Sequence, residues 1–393
     1  MKKRIALLGL TGSIGRNTLD VLRAGKDYFE PVLFSCHRDY APLLALAGEY
    51  PGALLALSGA GPAPDGIYSG REGLFRAIAA CGADLVVNGI SGAAGLEPSL
   101  AALEAGADLA LANKETLVMA SSLVFAEAER RGRRIIPVDS EHAALFNLLG
   151  EGRAENTVEL LLTASGGPFR KLSAGELEKI SPADALRHPT WNMGPKITVD
   201  SATMANKGLE VIEAAALFSI PAERITVVIH PQSIVHSMVR FRDGTVHAEL
   251  AAPDMRLPIH RALHYPACVP CEFGFLDFRD RESGLTLEFE KPDPVKFPLL
   301  PLAYEAARRG GAWPVLYNAA NEEAVAAFLA GKLSFLDIGR VVDYVLKDAD
   351  RIAGSANPPG CAGKEALALI LELDRRGREA AGARMGKIAY DRH

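Results

Sequence analysis

Two carboxylates one residue apart follow an apolar run in VDSEH (138–142), where Asp139 and Glu141 flank Ser140. In an extended chain, residues two apart point to the same side, so both acids can aim at one point. Oxygen ligands of this kind suit Mg²⁺ or Mn²⁺. The pattern predicts a divalent-cation site, with a solvated turn as the open alternative. A helix cap is the weaker interpretation, because no Glu or Gln stands in the capping-box position.

A third carboxylate is available in VDSATMANKGLE (199–210) and just beyond it. Asn206, Glu210 and Glu213 are spaced i, i+4 and i+7, which places them on one face of a helix. The spacing leaves two interpretations open. The face is a solvated stripe, or Glu210 points inward as the third ligand of the cation.

A candidate phosphate cradle involves the same segment. Ser165-Gly166-Gly167 directly follows the apolar run VELLLTA, and a serine with two glycines can form a nest of N–H donors. Downstream, Ser201, Asn206 and Lys207 add a hydroxyl, an amide and a cation. Each is ordinary on its own, as a cap or a solvated side chain. Together they predict a phosphate site spread over two loops.

A glycine-rich turn, GLTGSIG (9–15), lies between the apolar run RIALL and the helix-like NTLDVL. Glycines in this position let the backbone approach a pyrophosphate at a helix N-terminus, which predicts a dinucleotide site. The second apolar run ends in Cys36-His37-Arg38, without the acid that would bind the ribose of NAD. His37 and Arg38 could meet a 2′-phosphate, so NADP is favoured. The alternative for Arg38 is a solvated loop charge.

Asn113-Lys114-Glu115 follows the apolar run DLALA. The carboxyl ends of the strands are where a doubly wound sheet gathers its ligands, so these polar residues are candidates for cofactor or substrate contacts. A plain loop or a helix cap is the alternative.

Strands and helices must position these residues. In the first ~135 residues, short apolar runs alternate with helical patterns, which predicts a parallel sheet covered by helices on both faces. The helical patterns are NTLDVLRAG, EGLFRAIAACG and SSLVFAEAERRG. The predicted strands are RIALL (4–8), PVLFS (31–35), ALLAL (53–57), DLVVN (84–88), DLALAN (108–113) and RRIIPV (133–138).

From ~140 the pattern changes to a second sheet, followed by a proline-dotted stretch and four helices. Helices are predicted at 141–149 and 203–218. The expected domains are 1–130 (dinucleotide-binding, Rossmann-like), 131–262 (α/β, catalytic), 263–298 (connecting) and 299–393 (helical bundle). The predicted strands of the second sheet are ENTVELLLTA, KITVD, ERITVVIH, SMVRF and TVHAEL.

Bulk properties narrow the function. A formal charge of −5 gives no electrostatic footprint for nucleic acid or an anionic membrane, and no apolar stretch approaches membrane-spanning length. The apolar run near the N-terminus is too short for a signal peptide. Five cysteines fit a reducing cytoplasm. Cys268 and Cys271 form a single CxxC, interpreted as turn residues, with a zinc site as the alternative.

The motifs resemble, over essentially the whole chain, the 1-deoxy-D-xylulose 5-phosphate reductoisomerase family. Its members are NADPH-dependent enzymes of the non-mevalonate route to isoprenoids. The resemblance implies an N-terminal NADPH domain, a central catalytic domain and a C-terminal helical bundle, in a homodimer. The matching segments are LGLTGSIG, NGISGAAGL, ANKETLV, VDSEHAALF, LTASGGPF, HPTWNMGPKITVDSATMANKGLE, VVIHPQSIVHSMV and NAANEEAVAAFLAGKLSFLDI.

The resemblance also implies roles for individual residues. One Mg²⁺ or Mn²⁺ per subunit would be bound by Asp139, Glu141 and Glu210. HPTWNMG (188–194) would be a mobile loop, with Trp191 packing over the substrate. NADPH would contact Thr11, Gly12, Ser13, Ile14, Asn113, Glu115 and Gly194. The phosphosugar would contact Lys114, Ser140, Glu141, His188 and Glu210, with its phosphate on Ser165, Ser201, Asn206 and Lys207.

One departure concerns the 2′-phosphate. The family usually carries a small residue followed by Gly-Lys-Asn where this chain has Cys36-His37-Arg38. A cation is still present, so NADPH remains favoured, but the strictness of the preference for NADPH over NADH is open.

Two other functions stay as alternatives. One is a semialdehyde- or homoserine-type dehydrogenase, which has no need of three carboxylates. The other is a catalytically silent dinucleotide sensor, which would be expected to lose them.

Overall fold

The computed structural model describes residues 1–59, 61–191, 193–279, 285–354 and 363–390. The chain divides into two compact units. Unit 1 comprises Met1–Thr116, Val124–Ala143 and Asp254–Gly274, and unit 2 comprises Leu117–Leu123, Ala144–Pro253 and Phe275–His393. The domain boundaries expected at 130, 262 and 298 stay a prediction.

Unit 1 is built on a seven-stranded parallel sheet in the order β4-β3-β2-β1-β5-β6-β7. The strand order reverses between β1 and β5, which is where doubly wound sheets bind ligands. The strands are β1 (Lys3–Leu8), β2 (Phe29–Cys36), β3 (Leu54–Leu57), β4 (Ile67–Tyr68), β5 (Leu85–Asn88), β6 (Asp108–Leu111) and β7 (Ile135–Pro137).

The strands of this sheet are apolar runs because helices cover both faces. Ile5, Leu7, Phe34 and Val87 are all fully buried, which confirms the predicted parallel sheet. The prediction missed only the two-residue strand β4. The helices of unit 1 are α1 (Ser13–Ala24), α2 (Ala41–Glu49), α3 (Gly70–Cys81), α4 (Leu96–Glu104), α5 (Lys114–Arg131) and α11 (Arg256–His264), except that the segment Leu117–Leu123 of α5 belongs to unit 2.

Unit 2 contains a four-stranded sheet in the order β11-β10-β8-β9, in which β10 runs antiparallel to both neighbours. Its apolar core includes Leu160, Leu162, Val211 and Val239. The strands are β8 (Thr157–Ala164), β9 (Ile225–Ile229), β10 (Val235–Phe241) and β11 (Val246–Leu250). The helices from 140 to 217 are α6 (Ser140–Arg153), whose first four residues belong to unit 1, α7 (Ala174–Leu177), α8 (Pro182–Ala185), α9 (Pro195–Ala202) and α10 (Ala205–Leu217).

One predicted strand of unit 2 is wrong. KITVD lies within the helix α9. Its β-branched residues favour a strand, but Gly194 adopts an extended N-cap conformation and Pro195 occupies the first helical position, where proline fits well. Met204, with φ of 63°, then turns the chain from α9 into α10.

The C-terminal part of unit 2 is helical, as predicted. The described residues form five helices there and not the four expected, because the third predicted helix is followed by a separate short one, α15 (Ala349–Ala353). The long helix α13 packs against α12, α14 and α16, and buries Tyr317 and Phe328 completely. These helices are α12 (Leu299–Arg309), α13 (Ala312–Leu329), α14 (Phe335–Lys347), α15 (Ala349–Ala353) and α16 (Lys364–Tyr390).

Within the described ranges, no helix is long and apolar enough to cross a bilayer. Cys268 and Cys271 carry free thiols. Among the residues that the structure describes, neither belongs to a cluster of three side chains arranged to bind a metal.

Candidate active site

The glycine-rich turn in unit 1 lies at the point where the strand order reverses. Gly9 has a φ of 86°, and a Cβ there would lie 2.8 Å from the backbone of Gly89, at the end of β5. A Cβ on Gly15 would lie 2.3 Å from the carbonyl oxygen of Leu10. Only glycine fits either position. The turn is therefore packed tightly against its neighbours, as a pyrophosphate-binding turn requires.

The N-terminus of α1 is available to an anion. Its N-cap is Gly12, which has no side chain to accept a hydrogen bond from the first amides of the helix. Thr11 and Gly12 are exposed, and Ser13 and Ile14 are half-buried. The amides at a helix N-terminus and the helix dipole together attract a phosphate group, and the contacts of these four residues with NADPH stay a prediction.

His37 and Arg38 lie just beyond β2, whose Ser35 carbonyl oxygen accepts hydrogen bonds from the amides of Gly9 and Leu10. The His37 Nδ1 atom is 3.0 Å from Ser58 Oγ. The Cys36 thiol donates to the carbonyl oxygen of Asp39, and burial raises the pKa of Cys36 to about 11. Cys36 is thus a neutral structural residue, while His37 and Arg38 are exposed at the end of β2.

Asn113 is a helix cap as well as a candidate cofactor contact. Its Oδ1 atom accepts from the Thr116 amide at the start of α5, and its Nδ2 atom donates to the carbonyl oxygens of Ile90 and Gly92. The Nδ2 atom also donates to the buried Glu115 carboxylate at 3.0 Å. Asn113 is therefore a helix cap that fixes the loop after β5 beside the end of β6, and its contact with the cofactor stays a prediction.

Lys114 and Asp139 form a buried ion pair at the ends of adjacent strands. The parallel pairing of β6 with β7 places Leu111 opposite Pro137, and the Lys114 Nζ atom lies 2.6 Å from Asp139 Oδ2. Burial alone would raise the pKa of Asp139, but the Lys114 ammonium group holds it well below its ordinary value. Asp139 is therefore ionised and able to bind a cation.

The extended conformation expected for VDSEH is wrong. Ser140 and Glu141 are the first residues of α6, and the Asp139 carbonyl oxygen accepts a hydrogen bond from the Ala143 amide. The two carboxylates are close nonetheless, because a bend at Asp139 and the first helical turn bring an oxygen of each within 4.8 Å. Ser140 Oγ donates to the Glu141 carboxylate at 2.6 Å.

In unit 2, His188 joins two of the predicted phosphate residues. Its Nε2 atom is 3.0 Å from Ser165 Oγ and 3.1 Å from Ser201 Oγ. Its Nδ1 atom accepts from the amides of Thr190 and Trp191. Burial lowers the pKa of His188 to about 4, so the ring is neutral near pH 7.

The glycines after β8 allow the two serines to meet. Gly166 and Gly167 have φ values of 80° and 64°. A Cβ on Gly167 would lie 2.7 Å from the carbonyl oxygen of Ser201, which means that this loop packs directly on α9. The Gly167 amide also donates to Ser165 Oγ at 3.2 Å.

Asn206 and Lys207 both contact Glu210 on α10. The Asn206 Nδ2 atom donates to one oxygen of Glu210 at 2.6 Å, and the Lys207 ammonium group forms an ion pair with the other. Glu210 and Glu213 are each 1% exposed. The solvated stripe is therefore the wrong interpretation for these two acids, and Glu210 is a buried, lysine-compensated carboxylate.

The remaining predicted residues are in the loop before α9. Trp191 is half-buried, with its ring 6.4 Å from that of His236. Gly194 caps α9 and accepts from Thr198. Sequence analysis did not single out Asp200, a buried carboxylate that accepts from Asn321 of α13 and pairs with Lys196, and so anchors α9 next to Ser201. Its only sequence signal is an acid directly beside a candidate phosphate residue.

Three family models match the chain. A model described as 1-deoxy-D-xylulose 5-phosphate reductoisomerase matches residues 5–121, and one for the C-terminal domain of that enzyme matches residues 135–218. A second C-terminal domain model, described as DXP reductoisomerase C-terminal domain, matches residues 250–380.

Relatives and solved structures agree with these models. Enzymes named 1-deoxy-D-xylulose 5-phosphate reductoisomerase from Chlorobium chlorochromatii and Prosthecochloris aestuarii are 48% and 46% identical to this chain, over 88% and 97% of it and 92% and 99% of their own lengths. A crystal structure of DOX-P reductoisomerase with NADPH, fosmidomycin and magnesium is 38% identical, with a TM-score of 0.90, and covers 98% of this chain and 99% of that one. The Zymomonas mobilis enzyme with NADPH is 37% identical, with a TM-score of 0.85 and coverage of 98% and 99%.

The doubly wound sheet, its glycine turn and the clustered carboxylates define a dinucleotide-dependent oxidoreductase that uses a divalent cation. The comparisons narrow this class to one family. The chain belongs to the 1-deoxy-D-xylulose 5-phosphate reductoisomerase family.

Proposed function

We propose that separate groups of residues in this chain bind the cofactor, the cation, the sugar backbone and the phosphate in the reaction of the family. The chain is an NADPH- and divalent-cation-dependent oxidoreductase that isomerises and reduces 1-deoxy-D-xylulose 5-phosphate to 2-C-methyl-D-erythritol 4-phosphate, a step of the non-mevalonate isoprenoid route. The observation that carries the assignment of residues is the charged cluster after β6 and β7, where Lys114, Asp139 and Glu141 meet beside the dinucleotide-binding face of the sheet.

NADPH binds unit 1 in this proposal. The tight packing at Gly9 and Gly15 and the uncapped N-terminus of α1 support pyrophosphate binding by Thr11, Gly12, Ser13 and Ile14. His37 and Arg38 face the 2′-phosphate, and Asn113, Glu115 and Gly194 complete the cofactor site.

One divalent cation per subunit binds Asp139, Glu141 and Glu210. The donor set fits, because carboxylate oxygens are the ligands that Mg²⁺ and Mn²⁺ prefer, and Lys114 and Lys207 already compensate two of these acids with positive charge. A bound cation of this kind polarises substrate oxygens and orients them as a template. The protein's own part is to hold the acids ionised and in place.

The phosphate of the substrate binds Ser165, Ser201, Asn206 and Lys207, with His188 between the two serines. The neutral hydrogen-bonded ring and the positive φ values at Gly166 and Gly167 support this assignment. Binding of this remote group orients the reacting carbons without taking part in their chemistry. Lys114 and Ser140 contact the sugar backbone, and Trp191 covers it and excludes water.

We also propose that the enzyme is a cytoplasmic homodimer. Strand β11 supports self-association, because it lies at the edge of its sheet and exposes 43% of Val246 and 37% of Leu250. Free thiols at Cys36, Cys81, Cys268 and Cys271 fit a reducing compartment. Sedimentation equilibrium of the wild type and of Val246→Lys tests the dimer: a wild-type monomer would contradict it.

One assay tests the function. NADPH absorbance is followed with 1-deoxy-D-xylulose 5-phosphate as the substrate, with Mn²⁺ or with a chelator. The expected result is oxidation of NADPH that requires both the substrate and the cation. Oxidation that persists with chelator would favour a simple dehydrogenase, and NADPH binding without oxidation would favour a dinucleotide sensor.

A further inference from the structure

The two nitrogens of His188 have different kinds of partner. On one side of the ring, Nδ1 lies 3.1 Å from the Thr190 amide nitrogen and 2.9 Å from the Trp191 amide nitrogen. On the other side, Nε2 lies 3.0 Å from Ser165 Oγ and 3.1 Å from Ser201 Oγ. One nitrogen therefore faces the loop at 188–191, and the other faces the candidate phosphate site.

The amide partners decide where the ring carries its proton. A backbone N–H is always a donor, so Nδ1 must be an acceptor and cannot carry hydrogen. A neutral imidazole has one protonated nitrogen, which is then Nε2. The loop conformation thus selects the Nε2–H tautomer.

That tautomer in turn orients the serine hydroxyl groups. A protonated Nε2 cannot accept from either serine, so a serine oxygen bonded to it is the acceptor. Ser165 Oγ also accepts from the Gly167 amide, which leaves the Ser165 O–H as a donor directed elsewhere. A phosphate offers only acceptors when fully ionised, and therefore needs donors of this kind.

We propose that His188 couples the 188–191 loop to phosphate binding through a fixed tautomer. Nδ1 holds the amides of Thr190 and Trp191, and Nε2–H makes Ser165 and Ser201 donors toward the phosphate. His188 is thus a positioning residue for the two serines in addition to any contact of its own. The inference rests on the proposed phosphate site, because it names the mechanism that prepares that site.

Two amide substitutions separate the two functions of the ring. In His188→Asn, the side-chain oxygen lies near the position of Nδ1, so the acceptor for the loop is kept and the donor at Nε2 is lost. In His188→Gln, the longer side chain carries its NH₂ group to the position of Nε2, so the donor is kept and the loop loses its acceptor. Leu186→Asn and Leu186→Gln are matched controls at an exposed position two residues away.

Loop order and phosphate binding are measured separately. The chain has two tryptophans, so a Trp313→Phe background leaves Trp191 as the only tryptophan, whose emission on selective excitation at about 295 nm is followed under acrylamide quenching. Hydrogen exchange follows the Thr190 and Trp191 amides. Inorganic phosphate is titrated by calorimetry. Far-ultraviolet circular dichroism and the midpoint of thermal unfolding report that each variant is folded.

The expected result is a crossed pattern. His188→Asn weakens phosphate binding about 10-fold or more, because the serine hydroxyl groups that donate to the charged phosphate lose the partner that orients them, and it leaves quenching unchanged. His188→Gln keeps phosphate affinity within about 3-fold, and its loop amides exchange about 10-fold faster, as loss of a bond worth ~1.4 kcal/mol predicts. In the wild type, ¹⁵N shifts place the proton on Nε2.

Three results would overturn the inference: equal losses of loop order and phosphate affinity in both variants, no change in either, or a wild-type proton on Nδ1. A wild type that does not bind phosphate would contradict the proposed phosphate site, and with it the orientation of the serines. That failure is recognisable, because the exchange rates of the loop amides would still differ between the two variants.

Discussion

The two units hold their candidate ligand-binding residues in place by different means. In unit 1 the side chains are held by an ion pair. Lys114 and Asp139 follow adjacent strands of a buried parallel sheet, and their charged groups lie 2.6 Å apart. In unit 2, neutral hydrogen bonds hold the side chains: His188, Ser165 and Ser201 meet through loops and a helix end. Strand pairing in the sheet already determines where residues at the strand ends lie. Residues on loops are placed instead by glycines with positive φ and by the tautomer of His188.

The two units have one feature in common, a buried lysine paired with an acid that is itself buried or largely so. Lys207 pairs with Glu210 as Lys114 does with Asp139. An unpaired buried carboxylate costs several kcal/mol, so each lysine stabilises its acid in the absence of a cation. A cation that binds these acids must share them with the lysines or replace the lysines. Because the acids are proposed to bind the cation and not the cofactor, they should be needed for catalysis and not for NADPH binding.

The largest expected effect follows from neutralising either acid. Asp139→Asn and Glu210→Gln are each expected to lower kcat about 1,000-fold or more, because loss of the cation removes several kcal/mol of transition-state stabilisation. NADPH affinity, measured by fluorescence titration, should change little. Asp243→Asn, at an exposed turn, is the matched control. Near-normal turnover in either variant would remove that acid from the cation site.

A glycine substitution in unit 2 should separate substrate binding from cofactor binding. Gly167→Ala forces a Cβ to 2.7 Å from the carbonyl oxygen of Ser201 at a φ of 64°. The strain of about 1–2 kcal/mol predicts a KM for the phosphosugar raised ~10-fold or more, with an unchanged Kd for NADPH. Gly175→Ala, where a Cβ meets nothing within 4 Å, is the control. Unchanged KM in Gly167→Ala would argue against a phosphate site at this loop.

In unit 1 the corresponding test concerns cofactor selectivity. Arg38→Ala is expected to raise the KM for NADPH about 10-fold and to leave that for NADH nearly unchanged, because a guanidinium group bonded to a phosphate contributes ~1.5–3 kcal/mol. Steady-state kinetics with both cofactors measure the difference, with the exposed Lys26→Ala as control. Equal effects on the two cofactors would leave Arg38 as a solvated charge.

The contrast between positions fixed by a buried sheet and positions fixed by loops and helix starts also explains which features could be predicted from the sequence. The parallel sheet of unit 1 was predictable because strands buried on both faces are continuous apolar runs, and ligand positions at their carboxyl ends follow from topology. Glu210 could not be assigned from spacing alone, since a solvated stripe and a buried stripe have the same period. Its burial depends on packing between distant segments.

Local conformation at the starts of helices was harder to predict, in unit 1 as well as in unit 2. KITVD has strand propensity, yet Gly194 and Pro195 begin a helix there. VDSEH brought Asp139 and Glu141 together for a reason other than the expected one, a helix start in place of an extended chain. In both cases the start of a helix, determined by one or two residues, outweighed the propensity of the segment.

The smallest expected effect is a difference in pH dependence between the two parts of the site. Burial lowers the pKa of His188 from 6.5 to about 4, so between these values the unfolded chain binds a proton there and the folded chain does not. The free energy of unfolding therefore falls as the pH falls through this window. Asp139, whose pKa lies below its ordinary value, stays ionised throughout it.

For the half-buried His188 ring we expect a loss on the order of 1 kcal/mol between pH 6.5 and 4, which His188→Asn should abolish. Urea unfolding of the wild type and of His188→Asn at pH 7 and pH 4.5 measures it, and contributions of all other titrating groups cancel in the difference. The wild type should lose more stability than the variant on acidification. Equal losses would mean that the His188 ring accepts a proton in the folded state, and hence that Nδ1 does not hold the loop amides.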